Sequence, residues 1–231
     1  MSFDFGLIVE SLPLMLSGIG ITLQLLVVSA ILGLLLAIVL LLMRLSGKWY
    51  LDWLAQIYIY VFRGTPILVQ IFIVYYGFPQ FEFIRDSILW PILREPTGCA
   101  IVALSLNTGA YVSEILRGGV KGVSKGLLEA GSALGMSARQ KFIYITTPIA
   151  VRLALPAYSN DVVSLLKSTA LASTITIADM TGIARTIVAE TYAPYEIFMS
   201  MAIIYMAFTW VLQRTFGVIE GYLGRYTKRE A

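Results

Sequence analysis

The chain has 231 residues, 58% of them hydrophobic and only 13% charged, with a mean hydropathy of +0.81. That apolar share exceeds the range of a soluble domain, so lipid must solvate much of its surface. Having no His and a single Cys, Cys99, the chain has no means to build a histidine- or thiolate-rich metal centre or an internal disulfide, and its net charge of +3 is small.

The N-terminal Met1-Ser2-Phe3-Asp4 lacks the basic stretch of a signal peptide, and the first apolar run is too long for one, so the first span reads as a permanent anchor. Residues 1–19 are predicted to lie at the membrane interface before that span. A crossing helix needs about 20 mostly apolar residues. Five segments qualify, at about 20–43, 54–78, 98–117, 150–172 and 196–218. The first and fifth are clean, whereas the middle three carry polar residues. The segment 174–194, with Asp179, Arg185 and Glu190, reads as a short amphipathic helix and loop. The expected fold is therefore all-α, a single transmembrane domain over 1–231 with about five crossing helices.

Lys and Arg set the expected orientation. One side of the predicted bundle carries Arg44, Lys48, Arg117, Lys121, Lys125, Arg139, Lys141, Arg225, Lys228 and Arg229; the other carries Arg85, Arg94 and Arg185. Ten against three places the N-terminus outside, the C-terminus inside, and the 118–148 loop in the cytoplasm.

Three polar groups interrupt the middle spans. In the second, Arg63, Pro66 and Gln70 share a face, with Thr65 beside them, and Pro66 predicts a kink or unwound turn because it lacks an N–H. Such a break is tolerated in a membrane only where it is packed in protein or lines a cavity. In the third, Asn107, Tyr111 and Glu114 form a polar stripe. In the fourth, Asn160, Ser164, Lys167 and Ser168 share a face beside Asp161, and an interhelical pair between Asp161 and Arg63 is one expectation. Ionisable groups inside a bilayer are functional candidates by default. A polar network that only holds the bundle together is the competing role.

The loop at 129–148 places Glu129-Ala130-Gly131, Gly135, Ile145 and Pro148 in a register that resembles the Glu-Ala-Ala loop of the membrane subunits of ATP-binding-cassette importers. Gly131 and Thr147 stand where that pattern has Ala and Leu. An amphipathic helix on anionic lipid is the competing reading of this loop. The run Arg63-Gly64-Thr65-Pro66, with Gln70, and the runs Leu106–Ile115, Leu155–Asp161 and Ser168–Thr174 are similar to the polar amino acid permeases of type I importers. Among these they resemble the M-type permeases of histidine/lysine/arginine/ornithine and octopine/nopaline systems.

The resemblance implies an importer for amino acids, with basic amino acids or opines foremost, in a bacterial inner membrane. It implies a second permease subunit, two ATPase subunits and a periplasmic substrate-binding protein, with no nucleic acid involved. It further implies ATPase coupling through Glu129, Ala130, Gly131, Gly135, Ile145 and Pro148. The substrate path is expected along Arg63, Thr65, Gln70, Asn107, Tyr111, Glu114, Asp161, Ser164, Lys167 and Ser168. The chain has no Gly-x-x-x-x-Gly-Lys-Ser/Thr phosphate loop, so it is expected to bind no cofactor, ATP and Mg belonging to the partner ATPase. It offers no nucleophile–base set for catalysis. A secondary transporter or channel using Arg63, Asp161 and Lys167 as an ion relay stays open at this point, although no inverted repeat is evident.

Overall fold

Leucine and isoleucine saturate the first crossing helix, and nothing within it can break it: α2 runs Ile19–Leu45 without interruption. This computed structural model describes residues 4–223. The sequence reading that used Arg225, Lys228 and Arg229 concerns residues outside that range. Before α2, helix α1 (Phe5–Ser17) starts at Asp4, whose side chain accepts from the Leu7 N–H and so caps the first turn.

The second crossing segment is broken. Helix α3 (Trp49–Gly64) ends at Thr65, in extended conformation, and α4 (Ile67–Phe72) begins after Pro66. The chain bends by 104° between α3 and the limb Ile67–Gln80 that α4 opens. Pro66 removes the N–H that would have bonded to the Phe62 carbonyl, and a residue before Pro is pushed out of the α region, so the break is local chemistry. A π-helical turn (Ile73–Gly77) and two four-residue helices, α5 (Glu82–Arg85) and α6 (Trp90–Leu93), lead to α7 (Pro96–Lys121).

Beyond α7 lie α8 (Lys125–Ala133), α9 (Ala138–Lys141), a π turn (Phe142–Thr146) and α10 (Thr147–Thr169). From Ala138 to Ile175 these form one unbroken helix of 38 residues. The fourth crossing helix thus starts well before the predicted 150. Pro148 does not stop it: it falls in the first turn of α10, directly after the π turn. Segment 174–194 contains α11 (Met180–Thr191), and α12 (Pro194–Leu223) completes the bundle.

Helix α7 is the central element, packed along α2 on one side and α10 on another, with α12 against α10. The main core joins Leu25 and Leu26 of α2, Ile71 of α4, Ala100 and Leu104 of α7, and Val162 and Leu166 of α10. A second core joins α1, α11 and α12 through Met15, Met180, Ala184, Ile197 and Met201. Much of α2 and α12 remains apolar and exposed, including Leu35, Leu42, Met206 and Trp210, as lipid-facing surfaces do. Among the described residues four helices are long and apolar enough to cross a membrane, and up to five when the broken pair counts as one span.

Candidate functional site

The break in the second span opens one wall of a cavity of about 530 Å³. Arg63, Gly64, Thr65 and Pro66 form that wall, Asn107, Thr108 and Tyr111 of α7 form the next, and Asp161, Ser164 and Ser168 of α10 close the third. Of the predicted path residues, Arg63, Thr65, Asn107, Tyr111, Asp161, Ser164 and Ser168 line this one space. Gln70, Glu114 and Lys167 do not line it. Arg63 and Asp161 sit on the same cavity, yet no ion pair joins them among the described residues; the Arg63 guanidinium lies over the Tyr111 ring, 5.1 Å from its centroid. The expected direct pair is replaced by a cation–π contact, which leaves the Asp161 carboxylate on the opposite wall.

Gln70 is buried on α4 and turned back toward the break. Its Nε2 donates to the carbonyl of Phe62 at 2.9 Å and to Thr65 O and Oγ1 at 3.1 and 2.8 Å. Asn107 Nδ2 donates to the same Phe62 oxygen at 3.2 Å and to Gln70 Oε1 at 3.1 Å. The Thr65 hydroxyl donates to Val61 O, and the Tyr111 hydroxyl to Arg63 O. Side chains from α4 and α7 therefore satisfy carbonyls at the end of α3 that have no helical donor beyond the break.

Glu114 belongs to an ionic cluster one turn along α7. Arg44 donates to Asp52 at 2.7 Å and to Glu114 at 2.8 Å, while Arg117 pairs with Glu114. This ties α2, α3 and α7 together at the end of the bundle that carries α8. A second hollow of about 480 Å³ there is lined by Arg44, Gln56, Tyr60 and Glu114, and it shares Arg63, Gly64 and Tyr111 with the first cavity. In the sequence Arg44 served only as an orientation charge and Asp52 was not singled out. Both flank a loop, and only their convergence on Glu114 distinguishes them. Lys167 is exposed, on a face of α10 outside the cavity.

The loop motif folds into a compact corner. Helix α8 ends in a left-handed Gly135 (φ +76°), with Gly135 N–H bonded to Ser132 O and Met136 N–H to Gly131 O, both at 3.0 Å. This is the paired closure that glycine favours at a helix end. Ser137 and Gln140 then cap α9 reciprocally. Gly131 is buried against Ile145 of the π turn, and Lys141 Nζ donates to Ser132 Oγ at 2.7 Å. Glu129, Ala130, Gly135 and Pro148 are exposed, Ile145 is half-buried, and Leu134 projects with 82% of its surface open. The corner thus holds its register internally while offering a mixed charged and apolar face.

Residues 29–221 match the family described as binding-protein-dependent transport system inner membrane component. The chain is similar to the octopine transport system permease protein OccM of Rhizobium meliloti, 48% identical over 220 residues, which covers 95% of this chain and 90% of that one. It is 40% identical over 197 residues to the histidine/lysine/arginine/ornithine transport system permease protein HisM of Escherichia coli (strain K12), covering 85% and 83% respectively. Its fold matches the crystal structure of an amino acid ABC transporter with histidines at a TM-score of 0.86 and 33% identity, over 96% of this chain and 100% of that one. With the family model covering most of its length, the chain belongs to the binding-protein-dependent transport system inner membrane components.

Proposed function

We propose that this chain is a permease subunit of an ABC importer for amino acids or opines, with basic amino acids and opines as the preferred class. The single observation that carries the substrate reading is the juxtaposition of Arg63 and Asp161 on one polar cavity within the membrane-crossing bundle. An amino acid or opine brings both a carboxylate and an amine. Such a cavity supplies a guanidinium for the first, a carboxylate for the second, and hydroxyls and an amide between them. Names of relatives that transport octopine and basic amino acids support the same class.

In this reading a second permease subunit completes the pathway, two ATPase subunits hold and hydrolyse ATP with Mg, and a periplasmic binding protein delivers the substrate. Transport proceeds by alternating access. The exposed face of α8 and the Gly135 corner receive the ATPase, with Glu129, Ala130, Gly131, Gly135, Ile145 and Pro148 as the coupling residues. The Lys/Arg distribution supports an orientation with the N-terminus in the periplasm and the C-terminus in the cytoplasm of a bacterial inner membrane. An ion relay through Arg63, Asp161 and Lys167 is not favoured, since Lys167 lies off the cavity that the other two share.

The test is the ATPase rate of the purified complex with its binding protein, titrated with basic amino acids, opines and neutral and acidic amino acids. Stimulation by the basic and opine members supports the assignment. A complex stimulated only by neutral or acidic amino acids, or by none, overturns it.

A further inference from the structure

Pro66 leaves the half-buried Phe62 carbonyl without its helical donor. Two side-chain amides converge on that oxygen, Gln70 Nε2 at 2.9 Å and Asn107 Nδ2 at 3.2 Å, and they are joined to each other at 3.1 Å. Gln70 also holds both oxygens of Thr65. One buried amide thus ties the last turn of α3, the extended Thr65 and α4, and passes the link on to α7. The cavity wall Arg63–Pro66 is the segment so held, while Gln70 itself does not line the cavity.

We propose that Gln70 is a positioning residue: through its amide bonds to Phe62, Thr65 and Asn107 it fixes the angle between α3 and α4, and thereby sets the shape of the cavity wall that meets the substrate. This rests on the reading of the cavity as a substrate path. It assigns Gln70 a role apart from the ligands. Donor and acceptor are both needed: Nε2 satisfies the orphaned carbonyl, and Oε1 receives Asn107. A half-buried carbonyl stripped of its donor loses the hydrogen bond and keeps part of the desolvation cost, which favours reorganisation of the break.

The experiment uses the complete transporter in nanodiscs with Cys99 replaced by Ala. Nitroxides attached at Tyr60 on α3 and Ile73 beyond α4, both exposed, report the angle as a distance distribution by pulsed electron resonance. Gln70→Met preserves length and removes all amide bonds. Gln70→Glu keeps an acceptor for Asn107 but cannot donate to Phe62 when ionised. The expected result is a broadened or shifted distance distribution in both variants, with the substrate concentration for half-maximal ATPase stimulation raised roughly tenfold in each. An unchanged distribution in Gln70→Met overturns the proposal. So does a Gln70→Glu complex that takes a cationic substrate as well as the parent or better, since that is the behaviour of a direct ligand. Should no amino acid or opine stimulate the parent complex, the import reading fails, and the distance measurement still decides the role of Gln70.

Discussion

A Cβ built on Gly131 would lie 2.8 Å from Ile145 Cδ1, so helix α8 and the start of the fourth crossing helix meet at a contact sized for hydrogen alone. The atom approached is the far end of a flexible side chain. Gly131→Ala is therefore expected to be nearly neutral: Ile145 yields by a small rotation, and Ala gains about 1 kcal/mol of helix propensity. Gly131→Leu has no such escape and is expected to cost about 1–3 kcal/mol by overpacking. Thermal melts of the purified complex distinguish the two, and an unshifted melt for Gly131→Leu would remove this contact from the account.

Gly135 meets nothing within 4 Å, so its requirement is one of backbone and not of space. At φ +76° an ordinary L residue costs about 1–2 kcal/mol, and Asn pays least. Gly135→Asn should retain most substrate-stimulated ATP hydrolysis. Gly135→Arg adds a long cation to the exposed corner and should insert normally while losing stimulation or the ATPase itself. Full stimulation in Gly135→Arg would falsify the role of the corner in coupling.

The two charges on the cavity predict a hierarchy among the ionisable residues of the crossing helices. Asp161→Asn and Arg63→Gln should each reduce uptake in proteoliposomes at least tenfold. Lys167→Met, outside the cavity, should reduce it far less. Equal losses in all three would return Lys167 to the substrate path.

Asp179 caps α11 with one oxygen, accepting from Gly182 N–H at 2.9 Å, and leaves the other, Oδ2, buried without a hydrogen-bond partner. Burial pushes its carboxyl from 3.8 up to about 6, against the opposing pull of backbone N–H groups and of Arg185. The folded state therefore holds the proton more tightly than the unfolded chain. Its contribution to stability is most favourable below about pH 4, declines as pH rises, and becomes a constant penalty above about pH 6. The melting temperature of Asp179→Asn relative to the parent should rise across that window and then level off. A difference that is flat from pH 4 to pH 7 contradicts the buried carboxylate as its source.

Orientation is open to a direct check. Ile88 is 92% exposed between α5 and α6, and Ser124 is exposed just before α8, at the opposite end of the bundle. With the buried Cys99 replaced by Ala, an impermeant thiol reagent applied to intact cells stripped of their outer membrane should label a Cys at Ile88 and spare one at Ser124. Reversed labelling would place the α8 corner outside and disqualify it as an ATPase contact.

Hydrophobic length and proline made most of this architecture legible in the sequence. The run after Gly20 appears as α2, and Pro66 marked the break because a missing N–H acts wherever it is placed. Gly135 was readable as a helix end for a similar reason: it is a local backbone demand. Partners across helices were not readable. Asn107, Tyr111 and Glu114 form one stripe in sequence, but the first two cap the broken span and the third joins Arg44 and Arg117. That division depends on the relative heights of α2, α3 and α7, which hydropathy windows do not encode. The early start of the fourth crossing helix was hidden because its first turns, Ala138–Lys141, are polar and capped by the loop itself.

The 38-residue helix from Ala138 to Ile175 carries both Ile145, seated against α8, and Asp161, on the cavity. At 1.5 Å per residue these lie about 24 Å apart along a single rod. One continuous helical segment, with Pro148 and Pro156 between the two positions, thus joins the corner to the cavity wall, so that under the proposed coupling a push at Ile145 has a covalent route to Asp161. The neighbouring wall is built differently, from a broken span whose two limbs are tied by side-chain amides, so the two walls of the cavity differ in kind, one a continuous helix and the other a clamped break.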